Sequence, residues 1–130
     1  ACAVEELLAN ADIAIVLNLT IPKAYAEVAL ATLDAGRHVY DEKPLGATRA
    51  DGEAIMGTAD EKGLRMGCAP DTFMGAGIQT CRKLIDDGWI GSPIGATAFM
   101  LWHGHESWHP DPTSYCQFGG GPILDAGPTI

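Results

Sequence analysis

The sequence predicts an α/β fold, a parallel sheet with helices that is followed by the start of an α+β region. Three observations carry this. Short β-rich apolar runs at 11–18, 37–40 and 64–68 alternate with helix-length segments. The intervening segments show helical apolar spacing and stop at glycine, and such alternation implies parallel, right-handed connections. After Pro70 the pattern changes to a longer strand-like run and then a Gly-, Pro- and His-rich tract.

In order, Ala3–Asn10 reads as the last turns of a helix, with Asn10 a left-handed terminator. Ala11–Asn18 is a continuous apolar run of the kind covered on both faces in a parallel sheet. A helix follows over about Pro22–Ala35, with Thr20 or Ile21 at its cap, Pro22 in its first turn and Gly36 as its stop. Its stripe of Ala26, Ala29, Leu30 and Leu33 would lie on the sheet. Arg37–Tyr40 closes a β-α-β unit of about 30 residues. Thr48-Arg49-Ala50-Asp51 resembles a capping box and opens a helix that ends at Lys62-Gly63. Leu64–Cys68 is the next strand. A helix from about Gly75 to Asp87, stopped by Gly88, leads into a predicted strand at Ile94–Trp102. His103–Gly121 has the composition of a functional loop, and a helix is expected to open at Pro122.

Charge and composition narrow the function. The 130 residues hold 8 Lys plus Arg against 17 Asp plus Glu, a net charge of −9. Nucleic-acid affinity rests on clustered cations releasing counterions, so this balance argues against such a partner. No basic run points to an anionic membrane surface. The longest apolar stretch, Ile13–Leu17, is far shorter than the roughly 20 residues of a membrane span. Ala1–Ala9 carries Glu5 and Glu6 and lacks the basic start of a secretory signal. The expectation is a soluble, cytoplasmic piece of a longer protein. Cys2, Cys68, Cys81 and Cys116 form no CxxC pair, which suggests reduced, mostly buried thiols rather than a zinc ribbon or a disulfide framework.

The local feature with the clearest chemistry is Asp41-Glu42-Lys43-Pro44 directly after a parallel strand. Ligands of open α/β sheets bind at the carboxyl ends of the strands. Pro44 keeps Lys43 out of the helical region, and a lysine fixed there can exchange a proton with a substrate oxygen. The competing reading is a solvated lysine in a polar turn.

Further segments join this one in a collinear series. They are Thr20-Ile21-Pro22, Ala26-Glu27, Leu33-Asp34-Ala35-Gly36-Arg37-His38-Val39, Glu42-Lys43-Pro44, Ala69–Phe73, Arg82–Gly88, His105–Pro110 and Gly119–Asp125. Together they resemble the Gfo/Idh/MocA family of NAD(P)-dependent oxidoreductases over essentially the whole chain. The resemblance implies two domains. Residues 1–70 would be the C-terminal part of a Rossmann dinucleotide-binding domain. Residues 71–130 would begin an α+β domain for substrate binding and oligomerisation. The first β-α-β, with its GxGxxG turn, is expected upstream.

The implied activity is hydride transfer between NAD or NADP and a carbinol of a sugar, cyclitol or related polyol. The whole protein would be a homo-oligomer. Lys43 and Asp125 are implied as the catalytic pair, with a cis Lys43–Pro44 peptide. Leu19, Thr20, Pro22, Glu42 and Lys43 are implied to contact the cofactor. Lys43, Asp71, His105, Trp108, His109, Asp125 and Thr129 are candidates for substrate contacts. Asp125 also reads as a carboxylate at a helix N-terminus, and Thr20 as a helix cap.

Two departures affect the chemistry. Thr129 stands where the family's relay histidine would be, and Tyr25 stands where the Thr-Pro loop would carry histidine. A hydroxyl can hydrogen-bond a substrate but is no base near neutral pH. His105 or His109 is therefore a candidate base. His103-Gly104-His105, with His109, Asp111 and Cys116 nearby, also admits a metal site and a metal-dependent hydrolase, or simple packing histidines. Trp102 and Trp108 favour a sugar-binding loop. A non-catalytic nucleotide-binding sensor is the other alternative.

Overall fold

The computed structural model describes residues 2–129, Ser114 by its backbone. Its centre is a three-stranded parallel sheet of β1 (Ile15–Asn18), β2 (His38–Asp41) and β3 (Met66–Cys68), in the order β1-β2-β3. Ile15 pairs with His38 and Asn18 with Asp41, and Asp41 pairs in turn with Cys68. All three strands therefore end at one edge of the sheet. The crossovers are α2 (Pro22–Asp34) and α3 (Arg49–Lys62), which pack against each other. A short α1 (Val4–Ala9) precedes β1.

The helix ends follow side-chain chemistry. Thr48 accepts from the Asp51 N–H at 3.1 Å, and the Asp51 carboxylate accepts from the Thr48 N–H at 2.8 Å. Gly63 closes α3 in the left-handed conformation at φ 63°. Thr48→Ala is expected to lower stability by about 1 kcal/mol, read as a shift in denaturation midpoint. Pro22 occupies the first turn of α2, where its missing N–H costs nothing.

Alternation along the strands decides which side chains are covered. Val39 packs with Ala29 and Leu33 of α2 and Ile55 and Ala59 of α3, and Ala26, Leu30, Leu45, Leu64 and Met66 flank them. The opposite sheet face carries Ile15, Leu17 and Tyr40, all exposed. The expectation that the first strand is covered on both faces is thus corrected, because both crossover helices lie on one side. Asn18 and Asp41 lie on the covered face and are buried. That places two polar side chains under the helices at the carboxyl end of the sheet.

Other expectations are also corrected. Asn10 ends α1 with extended rather than left-handed backbone (φ −75°, ψ 112°). The thiols are free, as expected, but Cys2, Cys81 and Cys116 are exposed and Cys68 is only partly covered. Cys81 lies on α4 (Ala76–Asp86), none of whose residues is buried. The predicted strand at Ile94–Trp102 is irregular and exposed. Its alternation of small and large residues suits a strand, but no described segment pairs with it. The chain then forms α5 (Pro112–Tyr115), α6 (Pro122–Asp125) and a 3₁₀ turn at Gly127–Thr129. Among the described residues no helix is long and apolar enough to cross a membrane.

Candidate active site

Each strand delivers a turn to the same edge of the sheet: Leu19-Thr20-Ile21 after β1, Glu42-Lys43-Pro44 after β2, and Ala69-Pro70-Asp71 after β3. The Lys43–Pro44 and Ala69–Pro70 peptides are both cis. A small network shapes the first turn. The Thr20 hydroxyl donates to Asn18 Oδ1 at 2.7 Å, and Asn18 Nδ2 donates to the Tyr25 carbonyl at 3.2 Å. Of the two expected cap positions, Ile21 rather than Thr20 is the N-cap of α2. In the second turn the Glu42 carboxylate accepts from the Lys43 N–H at 3.1 Å.

A glycine-rich loop brings the far end of the chain onto these turns. A Cβ on Gly119 would lie 2.9 Å from Ala47 Cβ and 3.4 Å from Pro22 Cβ, so the loop packs directly on the α2 entrance. A Cβ on Gly120 would lie 2.3 Å from the Tyr115 carbonyl oxygen, which only glycine permits. The next turn is α6, and its last residue, Asp125, meets Lys43. Lys43 Nζ donates to Asp125 Oδ1 at 2.5 Å across 82 residues of sequence. The pair is half-covered, with side-chain exposures of 21% and 41%, so it can still reach a ligand. Lys43 is thus held in an ion pair, not solvated in a free turn. The Asp125 carboxylate is engaged by that cation.

Two cavities meet at this pair. One of about 750 Å³ is lined by Lys43, His105, Trp108, His109, Tyr115, Asp125 and Thr129, with Met100, Leu101 and Trp102 as an apolar wall. The other, of about 340 Å³, is lined by Thr20, Pro22, Tyr25, Glu42, Lys43, His109, Tyr115 and Asp125, among others. Lys43, His109, Tyr115 and Asp125 border both. Asp71 lies in a third, smaller hollow of about 250 Å³ with Tyr40, Glu42, Lys43 and Thr129. Leu19, at 68% exposure, projects to solvent.

The hydrogen bonds of the histidines limit what they can do. His105 is buried, and its Nε2 donates to the Pro112 carbonyl at 3.2 Å. His109 Nδ1 accepts from the Asp111 N–H at 3.0 Å, which puts the proton of the neutral ring on Nε2. His109 borders both cavities, and in its neutral form Nε2 is the nitrogen able to donate. Thr129 spends its hydroxyl on the Ala126 carbonyl at 2.6 Å, and its own carbonyl accepts from the Thr72 hydroxyl at 3.2 Å. No group of three or more His, Cys, Asp or Glu side chains among the described residues is placed to hold a metal ion. The two-histidine metal idea assumed a strand through His103, and that strand is not formed.

Sequence reasoning assigned no role to Asp41, Tyr25 or Tyr115. Both Asp41 oxygens are buried without a hydrogen-bond partner of normal geometry among the described residues. Burial pushes the carboxyl up to about 6, against a smaller opposing influence of Asn18. Burial, then the carboxylates of Glu42 and Asp41, pushes the Tyr25 phenol up to about 12, so it stays a neutral donor. Burial likewise pushes the Cys68 thiol up to about 11.

Residues 1–69 match a known oxidoreductase family with an NAD-binding Rossmann fold. The chain belongs to the Gfo/Idh/MocA family. Among its relatives, a 1,5-anhydro-D-fructose reductase of Ensifer adhaerens is 33% identical over 95% of this chain and 37% of its own length. An inositol 2-dehydrogenase of Salmonella typhimurium is 33% identical over 68% of this chain and 27% of its own. An NAD-binding protein from Listeria innocua superposes with a TM-score of 0.75 at 25% identity, over 96% of this chain and 35% of that one. A levoglucosan dehydrogenase solved with NADH and levoglucosan gives a TM-score of 0.63 at 27% identity, over 68% and 24%. The chain therefore spans between a quarter and two fifths of the length of these proteins.

Proposed function

We propose that the whole protein transfers hydride between NAD or NADP and a carbinol of a sugar, cyclitol or related polyol. The observation that carries this reading is the Lys43–Asp125 pair at the seam of the two cavities. Relatives named for anhydrosugar and inositol chemistry support the substrate class. The cavity at the carboxyl ends of β1 and β2 suits the nicotinamide end of the cofactor, with Thr20, Pro22, Glu42 and Lys43 as the residues that would hold it. The chain contains no GxGxxG turn, so its residues fit that end alone. When bound, the nicotinamide supplies or accepts the hydride.

The chain's own residues handle the oxygen. In the reducing direction the Lys43 ammonium delivers a proton to the substrate carbonyl oxygen as the carbinol forms; in the oxidising direction the amine takes it back. The Asp125 carboxylate orients Lys43 through their ion pair. His109 donates to a neighbouring substrate oxygen from Nε2. Trp108 and Trp102 offer ring faces to the apolar side of a sugar. Residues 71–130 would open an α+β substrate domain whose remaining strands pair with Ile94–Trp102 and cover α4. The whole protein would be a cytoplasmic homo-oligomer.

The test is to titrate the whole protein with each nicotinamide cofactor and follow its absorbance against inositols, anhydrosugars and hexoses. Binding of one cofactor and turnover of at least one polyol is the expected result. Binding without turnover across the panel would favour a nucleotide sensor, and neither binding nor turnover would contradict the reading outright.

A further inference from the structure

Asp125 sits on a single helical turn, and only one of its oxygens is accounted for by Lys43. A carboxylate on so short an element needs a second anchor if it is to hold a lysine in one orientation. The neighbouring donors are mostly committed. The Thr129 hydroxyl goes to the Ala126 carbonyl, and His105 Nε2 goes to the Pro112 carbonyl. The Tyr115 hydroxyl is different. It is buried and has no hydrogen-bond partner of normal geometry among the described residues. Leaving such a hydroxyl unpaired is costly, and an orphan of this kind calls for an explanation.

The surroundings of Tyr115 supply one. Its side chain borders both cavities together with Lys43 and Asp125. Its ring lies on His105, with centroids 3.6 Å apart and planes tilted by 51°. Gly120 packs closely on its carbonyl. The phenol is held above its usual range by burial first and then by the Asp125 carboxylate, with Cys116 and Glu106 contributing less. A neutral phenol beside a carboxylate is a donor facing an acceptor.

We propose that Tyr115 is a positioning residue whose hydroxyl donates to Asp125 and keeps that carboxylate aimed at Lys43. This inference rests on the dehydrogenase reading above and adds to it a residue outside the motifs that carry the family resemblance. It accounts for an unpaired hydroxyl beside a catalytic pair.

Tyr115→Phe in the whole protein removes the hydroxyl and keeps the ring on His105. The expected result is a loss of about tenfold or more in kcat, the scale of a slightly misplaced catalytic group, with the polyol KM changed far less. The deciding arm is a double-mutant cycle with Asp125→Asn, read on the residual rate. If the hydroxyl works through Asp125, Tyr115→Phe has little further effect in the Asp125→Asn background. Equal effects in both backgrounds, or a polyol KM that rises as far as kcat falls, would overturn the inference while leaving the dehydrogenase reading intact. A thermal melt of Tyr115→Phe matching the wild type is expected, and loss of rate that follows loss of fold would also count against it. Absence of turnover by the wild-type protein on every polyol would remove the functional reading, and this inference with it.

Discussion

Lys43→Met is expected to lower kcat by about 10²- to 10⁴-fold, the usual worth of a positioned proton donor. Methionine keeps an unbranched apolar stem and removes the ammonium, so the turn after β2 and the packing around it should survive. Cofactor binding is expected to weaken far less than turnover, because the loss falls on the oxygen whose proton must move. Asp125→Asn should lie between the wild type and Lys43→Met, since the amide keeps the shape but not the charge that holds Lys43. The measurement is steady-state kinetics on the whole protein, with cofactor affinity determined separately. A Lys43→Met enzyme within threefold of the wild type would show that the ion pair is structural.

The second large effect concerns stability and lies at Asp41. Its carboxyl is completely buried, without a hydrogen-bond partner of normal geometry among the described residues, and pushed up by burial to about 6 from an ordinary value of 3.8. A raised acid binds its proton more tightly in the folded state than in the unfolded one. Its contribution is therefore neutral below pH 4, grows unfavourable between pH 4 and 6, and stays so above. The full penalty is about 3 kcal/mol at neutral pH, from 1.36 kcal/mol per unit. Asp41→Asn preserves the volume and removes the charge. It is expected to raise the denaturation midpoint at pH 7.5 and to narrow the gap between midpoints at pH 5 and pH 7.5. Parallel pH dependences for the wild type and Asp41→Asn would contradict this.

Much of the sheet and its crossovers was legible because local chemistry determines them. Thr48 with Asp51, Pro22, and the glycine after α3 each act within a few residues, so their meaning does not depend on what lies elsewhere. The stripe on α2 was legible for the same reason: helical spacing alone selects Ala29 and Leu33. The departures seen in this chain have a shared cause. Ile15 and Leu17 look like residues covered on both sides, yet coverage depends on where the crossover helices pack. Ile94–Trp102 has a strand's alternation, but a strand exists only when another segment pairs with it. Cys81 sits among apolar residues on α4, whose apolar side meets no described partner.

The candidate site divides in the same way. Lys43 stands out because it follows a parallel strand and precedes a proline, whereas Asp125 is implied only by the family resemblance. Their meeting depends on a loop without periodicity, and no pattern in that loop announces Tyr115. The Gly119-Gly120 pair was the available signal: adjacent glycines mark a close backbone approach, and the Tyr115 carbonyl is what they approach. Asp41 was overlooked beside Glu42 and Lys43, since its burial follows from strand alternation that places it under α2. Hydrogen bonds decided the histidines. The Asp111 N–H on His109 Nδ1 and the Pro112 carbonyl at His105 Nε2 set which ring nitrogen of each can donate, and no sequence pattern shows that.

The most direct test of the central claim is a crystal structure of the whole protein with a nicotinamide cofactor and a polyol it turns over. The reacting oxygen should lie within about 2.6–3.2 Å of Lys43 Nζ, with Asp125 still paired to that nitrogen and the nicotinamide against the turns after β1 and β2. A polyol bound away from this seam, with Lys43 and Asp125 touching neither ligand, would contradict it.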